Sequence, residues 1–343
     1  IYLQQPEQNA GRDEILEVGK LYYGSTMDVA RTLIKFNVSN LETGSGWKAY
    51  LNLKSANSEE IPLEYTIYAN AISQSWNMGT GTKFDNITSD GVSWYYKNGT
   101  NKWMDYVAIP NSYVSGSDTG SISNGGGGTW YTASMASQSF SNEPDDIRMD
   151  VTNIVNLWIS SSLGNNGFII HHHTSASVDS NDYGVLKFFS KETDTIYQPK
   201  LEIVWNDTSI NTGSLAPTTG SAQDGYKVVL TNLKNKYIKD SKIKIRIKGR
   251  DMYPLKSFSN TFEYDQTKYL PSTTYYQLED YVTSEVIYPF LIYTQLSCDS
   301  TSNYFNMNLN TLPANRTYKL KIKIVEGGIS TIIDDKLIFE IVE

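Results

Sequence analysis

A strict alternation of apolar and polar residues, repeated along the chain, constrains its fold more than any other feature. At residues 34–39 the apolar side chains fall on even positions and the polar ones on odd positions. The same rhythm returns at residues 48–54 and 63–69. Successive side chains of a strand point to opposite faces, so a period of two predicts β-strands with one buried and one wet face.

The second half of the chain alternates in the same way, with lysine and arginine on the polar positions. Residues 241–248 read SKIKIRIK, residues 318–324 read YKLKIKI, and residues 337–342 predict a closing strand. Composition agrees, because 25 tyrosines raise the aromatic share to 13% while charged residues make up only 19%. Tyr, Thr, Val and Ile favour sheets, whereas Gly, Asn and Ser supply turns.

One segment departs from this pattern. Residues 150–158, with the sequence DVTNIVNLW, form the one good helix candidate, and Asp150 is placed to cap it by accepting backbone N–H bonds. Helical spacing brings four apolar residues onto one face. They are Val151, Ile154, Val155 and Trp158.

A stretch of small polar residues at 206–224 divides the chain, and the composition then shifts toward Lys, Tyr and Ile. We therefore predict an all-β protein of two β-sandwich domains. The first, at residues 1–205, is a jelly-roll-like sandwich with one short helix. Residues 206–224 form a linker, and residues 225–343 form a smaller Ig-like sandwich.

Charge and cysteine content exclude several classes of protein. The net charge is −8 and the pI is near 5.1, so phosphate backbones gain no long-range attraction and no nucleic-acid partner is expected. The single cysteine, Cys298, rules out an internal disulfide framework. No stretch approaches the roughly 20 apolar residues that a membrane helix needs.

Residues 76–135 are rich in glycine and aromatic residues, and they contain the candidate binding positions. Trp94 and Trp130 are expected to pack in the core. The surface candidates, for a glycan or for a protein interface, are Tyr95, Tyr96, Tyr106 and Tyr131. We rank core packing first for the aromatic residues of this region, a protein interface second and sugar stacking third.

All three histidines stand together at residues 171–173. On a strand they point to alternate faces, which splits them as zinc ligands, although Asp179 and Asp182 follow nearby. The paired acids Asp145–Asp146 and Asp334–Asp335 lack the spacing of a calcium loop. We predict no metal site, no cofactor and no catalytic residue, because no nucleophile or phosphate-binding motif is present either.

Two rows of basic residues have two interpretations. The members are Lys242, Lys244, Arg246 and Lys248 in one row and Lys319, Lys321 and Lys323 in the other. Each row lies on one strand face. A solvated face that opposes aggregation is favoured over docking against an acidic neighbour, because lysine commonly protects exposed sheet surfaces.

Several segments of residues 1–205 occur in the order typical of one family. They are NAG at 9–11, LEVG at 16–19, RTLIKFNVS at 31–39, WNMGTG at 76–81, DGVSW at 90–94, GGGTW at 126–130, DVT at 150–152, NGFII at 166–170 and QPKLEI at 198–203. In this order they resemble a DNRLRE-type domain, a β-sandwich family also classed among carbohydrate-binding modules. The resemblance implies the sandwich fold, whereas function remains open because one fold hosts many functions.

Members of this family include polysaccharide-binding modules of secreted bacterial proteins and structural proteins of tailed-phage virions. The second half of the chain helps to choose between them, since its segments are similar to phage neck or tail proteins. The segments are KVVL at 227–230, the basic strand at 242–248, YP at 253–254, KYLP at 268–271 and YF at 304–305.

These resemblances imply a non-enzymatic structural protein of a tailed-phage virion, from the neck, tail, a fibre or the capsid surface. Its expected partners are other virion proteins and further copies of itself in a symmetric assembly, with cell-surface polysaccharide as an additional contact. The alternative is a secreted bacterial carbohydrate-binding module protein. An enzyme is the third option, and it would require a polar pocket.

Overall fold

A computed structural model describes residues 1–23, 26–41, 43–58, 64–103, 126–141, 146–172, 182–219, 225–254 and 266–343. Strands dominate these residues, and the predicted all-β class with sandwich domains is confirmed. The chain divides into two compact units. The first comprises Ile1–Thr43 and Trp47–Val204, and the second comprises Gly44–Gly46 and Trp205–Glu343.

The first unit contains ten described strands and one helix. The strands are β1 (Ile15–Tyr23), β2 (Thr26–Ala30), β3 (Thr32–Ile34), β4 (Lys48–Leu53), β5 (Glu64–Ile72), β6 (Trp130–Ser141), β7 (Ile147–Asp150), β8 (Phe168–His171), β9 (Gly184–Phe189) and β10 (Lys200–Val204). The helix α1 spans Thr152–Ile159. Every strand pair among them is antiparallel.

These strands form the layers of a sandwich. One layer has the order β3-β8-β5-β6, and the other is built from β2-β1-β9 and β10-β4-β7. The last two sheets are joined where Phe188 of β9 bridges Ser55, just after β4. Side chains of all three sheets, such as Leu51, Ile67 and Leu186, share one core. Burying alternate side chains in this core is the main favourable contribution to the fold.

Helix α1 packs on this core with the face that the sequence predicts. Ile154, Val155 and Trp158 are buried in the core cluster. The N-cap position is Val151 and not Asp150 as predicted, and Asp150, one residue earlier, accepts a hydrogen bond from the Thr152 backbone N–H at 3.1 Å. The helix ends before Gly164, because Ser161 already adopts a left-handed backbone with φ of 58°.

The second unit is a sandwich of two sheets. Its strands are β11 (Tyr226–Leu230), β12 (Lys236–Ile238), β13 (Lys242–Asp251), β14 (Thr274–Asp280), β15 (Val286–Tyr288), β16 (Ser297–Cys298), β17 (Asn303–Asn308), β18 (Arg316–Glu326) and β19 (Ile329–Val342). The sheets have the orders β11-β13-β17-β16 and β12-β19-β18-β14-β15. Ile245, Phe305, Leu320 and Ile341 contribute to the core between them.

The described part of the segment predicted as a linker, residues 206–219, pairs along the second unit. Ile210 bridges to Cys298, and Pro217 bridges to Tyr269. Cys298 itself is a buried free thiol. The small polar residues of this segment therefore serve as an irregular edge of the second unit.

Tyr318 marks the start of β18 with a contact typical of Ig-like sandwiches. Its ring is buried, and its hydroxyl donates a hydrogen bond of 3.0 Å to the Pro313 carbonyl, five residues upstream. A tyrosine that bonds back to the preceding corner in this way is called a tyrosine corner, and it fixes the path of the chain into the strand.

Candidate binding site

A single buried asparagine organises the glycine-rich loops of the first unit. The Asn9 side chain is fully buried, with 0% of its surface exposed. Its Nδ2 donates to the carbonyl oxygens of Met78, at 2.6 Å, and Val92, at 2.8 Å. Its Oδ1 accepts from the backbone N–H groups of Gly81, at 2.8 Å, and Gly11, at 3.3 Å. Asn9 therefore joins three segments that are distant in sequence.

The neighbouring glycines are required because the chain approaches Asn9 so closely. A Cβ atom on Gly79, which has a φ of +78°, would lie 2.4 Å from Asn9 Oδ1. A Cβ atom on Gly91 would lie 2.5 Å from Asn9 Nδ2, and one on Gly81 would lie 2.5 Å from the Asn9 carbonyl oxygen. The WNMGTG and DGVSW motifs thus encode the fold of these loops, because glycine alone permits such contacts.

Asp90, the first residue of the DGVSW motif, closes the same loop. Its two carboxylate oxygens accept from the Thr80 N–H at 3.0 Å and from the Thr80 hydroxyl at 2.6 Å. These bonds hold the pKa of Asp90 below its usual value, because they favour the charged carboxylate. Asp90 is a structural residue of this turn.

The tryptophans form a second, smaller core. Ile169 of β8 is not part of the main core and packs in a separate cluster that includes Trp103 and Trp130. The Arg31 guanidinium lies 4.8 Å from the Trp94 ring centroid and 5.2 Å from that of Trp130. These distances are in the cation–π range, and they explain how a buried cation is tolerated. The expectation that Trp94 and Trp130 are core residues is confirmed.

The predicted surface tyrosines are not all brought together. Tyr95 and Tyr96 are half-buried neighbours, with ring centroids 6.4 Å apart in an edge-to-face arrangement. Tyr131 is half-buried and packs against the main core of the unit. Tyr106 lies outside the described residues. Binding of a glycan or a protein by these tyrosines stays a prediction.

The histidine cluster is built into the packing. His171 is buried, lies 4.6 Å from the Trp130 ring, and its Nε2 is 3.0 Å from Asn70 Oδ1. His172 is buried beside Tyr183, at 5.1 Å between ring centroids. His173 and Asp179 lie outside the described residues. Within the part of the chain that the structure covers, no group of three His, Cys, Asp or Glu residues is arranged to hold a metal ion.

We predict that His172 makes the first unit sensitive to acid. Burial, aided by the positive charge of Lys20, lowers the pKa of His172 to about 4. The His172 side chain therefore takes up a proton more readily in the unfolded chain than in the folded one. The stability that comes from burying neutral His172 is complete above pH 6.5 and is lost as the pH falls toward 4. The free energy of unfolding should drop by about 3 kcal/mol over that interval. Urea unfolding at several pH values measures it, and His172→Phe should show a flatter pH profile than the wild type. Parallel profiles would contradict the assignment.

The described acidic candidates have ordinary partners. Asp146 pairs with Lys54 at 2.8 Å. Asp334 pairs with Lys319 at 2.6 Å, and Asp182 accepts a backbone N–H from Tyr22. Asp145 falls outside the described residues. These contacts give the three acids a structural role.

One basic row is also paired within its own sheet. Asp299 receives hydrogen bonds from Lys244, at 3.1 Å, and from Arg246, at 3.0 Å. The Arg246 guanidinium holds the pKa of the Asp299 carboxyl far below its usual range. Lys244 Nζ also lies 3.5 Å from the Tyr304 ring centroid. The charge of this row is therefore partly neutralised before any partner arrives.

The sequence gives no sign of one further feature, an open pocket of about 290 Å³ in the first unit. It lies over the sheet β2-β1-β9, and residues of all three strands line it. The charged and aromatic residues that line it are Tyr2, Glu17, Lys20, Asp28, Lys83, Phe84 and Lys187. These come from four separate stretches of the chain, so only the folded structure brings them together.

The pocket combines hydrogen-bond donors, acceptors and an aromatic rim. Lys83 Nζ pairs with Glu17 Oε2 at 2.5 Å and lies 4.3 Å from the Tyr2 ring centroid. Asp28 Oδ1 is buried and has no hydrogen-bond partner, and burial raises the pKa of this carboxyl. Phe84 stands at the rim with 88% of its surface exposed. This arrangement suits an uncharged polar ligand.

Comparisons with known proteins add little. Neither a scan against family models nor a search of curated proteins finds a match. Among solved structures, the chain is similar to the β-glucuronidase of Parabacteroides merdae at 6% identity and a TM-score of 0.18. That alignment covers 98% of this chain and 36% of the enzyme, and a likeness this weak carries no argument. In the described residues, no helix has the length and apolar character needed to cross a membrane.

Proposed function

We propose that the protein is a non-enzymatic structural component of a tailed-phage virion that acts through assembly with other proteins. The observation that carries this proposal is the apolar surface of the second unit. Of the large apolar side chains that are exposed in the described residues, most belong to this unit. They include Val229, Ile238, Tyr253, Tyr281, Val282, Val286, Ile292, Ile332 and Ile338.

Exposed apolar side chains support a role in protein–protein contact, because a partner that covers them removes their apolar surface from water. The motif residues of the first unit agree with a structural role. Asn9 and Asp90 hold loops through hydrogen bonds, and Trp94 is buried. The resemblance of the second half to phage neck and tail proteins is the reason for proposing a virion. Virion proteins act as multiple copies in symmetric particles.

The proposal is tested by the composition of purified phage particles from the source of this sequence. Particles banded in a density gradient are digested and analysed by quantitative mass spectrometry. We expect the chain at a constant ratio to the major capsid protein across independent preparations. Recovery of the chain only as free protein, with particles that lack it, would overturn the proposal.

A second candidate function, glycan binding by a secreted module or by the virion itself, is supported by the pocket. Carboxylates and lysines offer both acceptors and donors to sugar hydroxyls, as at Glu17, Asp28 and Lys83. The exposed Phe84 ring offers a flat apolar surface against which a sugar ring can stack.

We expect Phe84→Ala to weaken glycan binding about tenfold, because the stacking surface is lost. The polysaccharide that binds the wild type best on a glycan array is used for titration calorimetry. Ile87→Ala is the matched control, since Ile87 is 72% exposed, stands three residues away and does not line the pocket. Equal affinities for Phe84→Ala and the wild type would remove the pocket as the site.

A further inference from the structure

The five-stranded sheet of the second unit turns one face toward the core and the other away from it. In β18, Leu320 and Ile322 are buried in the core. The alternating residues Lys319, Lys321 and Lys323 therefore lie on the opposite side, here called the outer face. The register of β18 and β19 places Ile338 opposite Lys319 and Ile332 opposite Lys323.

Two of the three lysines on the outer face already have carboxylate partners in the same sheet. Lys321 Nζ is 2.6 Å from Glu279 Oε1 on β14. Lys319 Nζ is 2.6 Å from Asp334 Oδ2 on β19. Removing water from charges that are already paired costs less free energy than removing it from isolated charges. The centre of the outer face is thus suited to being covered.

The third lysine differs. Lys323 forms no ion pair with any residue that the structure describes, and its Nζ lies 5.7 Å from the Phe290 ring centroid. Among the three lysines of β18, it is the one whose charge no carboxylate in the described part of the sheet balances. A complementary partner would place a carboxylate opposite Lys323.

Apolar side chains flank these charges. Ile332 has 55% of its surface exposed, and Ile338 and Val286 are also exposed. Val286 lies opposite Glu279 across the β14–β15 pair, so it shares the outer face. Isoleucine and valine side chains that face water are unfavourable, and a protein surface that covered them would lower the free energy by burying them.

We propose that the outer face docks a neighbouring protein subunit whose contact surface is apolar and presents a carboxylate to Lys323. This inference rests on the proposed assembly function and specifies the surface and the partner. One unbalanced cation, set among isoleucines and paired charges, fits a protein surface better than a phosphate backbone or a glycan. Docking by the face is also favoured because the edge strands β12 and β15 have only three residues each.

The test uses a phage that lacks the gene and is supplied with variants of the chain by the host. We expect Ile332→Asp and Lys323→Glu to lower the amount of chain per particle at least tenfold. The matched control is Met135→Asp, because Met135 is 54% exposed on β6 of the first unit and is not part of the outer face. It should enter particles at the wild-type level. Thermal unfolding of each purified variant separates lost docking from lost folding, and Lys323→Gln serves as a milder change.

A carbodiimide, which joins lysines directly to carboxylates, identifies the partner in intact particles. We expect a link between Lys323 and an Asp or Glu of another chain, and changing that residue to lysine should restore entry of Lys323→Glu. Folded Ile332→Asp and Lys323→Glu chains at the wild-type level would overturn the inference while leaving the proposed function in place. Particles that lack even the wild-type chain would overturn both.

Discussion

Replacing Asn9 with alanine is expected to lower the free energy of unfolding of the first unit by about 3–5 kcal/mol. The change leaves the carbonyl groups of Met78 and Val92 and the N–H group of Gly81 without their partner. Each buried polar group that loses its hydrogen bond costs about 1–3 kcal/mol. Because Asn9 is the shared partner of all three groups, one substitution should loosen residues 78–81 and the segment around Val92 at once.

Urea unfolding followed by tryptophan fluorescence measures this loss, since Trp94 is buried two residues after Val92, which Asn9 binds. Asn86→Ala is the matched control, because Asn86 is exposed in the same loop region and should change stability by less than about 0.5 kcal/mol. Asn9→Asp tests the donors separately, as aspartate keeps the acceptor for Gly81 but cannot donate. A loss for Asn9→Ala no larger than that of the control would show that Asn9 does not hold the loops.

The second large effect is expected at the tyrosine corner. Tyr318→Ala removes a fully buried ring from the core of the second unit, and a loss of about 3–5 kcal/mol is expected for a change of this size. Tyr318→Phe keeps the ring and removes only the hydrogen bond to the Pro313 carbonyl, so about 1–2 kcal/mol is expected.

Calorimetry of the intact chain separates the two units if they unfold in different transitions, and only that of the second unit should move. Tyr253→Ala provides the control, because Tyr253 is exposed in the same unit. If Tyr318→Phe were as stable as the wild type, the hydroxyl would have no role in fixing the corner.

The alternation of apolar and polar residues predicted which side chains are buried better than it predicted which residues pair in a sheet. At residues 34–39 it implied one strand, yet β3 covers only Thr32–Ile34. Burial still alternates beyond the strand, since Val38 is buried while Lys35 and Asn37 are exposed. The hydrophobic effect acts on side chains in any extended segment, whereas a ladder also needs a partner strand at the right distance.

The site could be predicted only in part. The pattern around residues 9–11 and 76–94 indicated a specialised loop region, and the core role of Trp94 follows from its place in that pattern. The pocket could not be predicted, because Tyr2, Lys83 and Lys187 meet only through long-range packing. No local period or motif records a contact between residues so far apart in sequence.

The hydrogen bonds of Asn9 to the backbone affect which residues of the neighbouring loops can change. Its hydrogen bonds reach main-chain atoms of Met78, Gly81 and Val92, and they do not depend on the side chains that stand outside. Positions such as Phe84 and Ile87 are therefore free to be exchanged while the loop keeps its course. Exposed residues of these loops can therefore change by point substitution alone, without rebuilding the scaffold beneath.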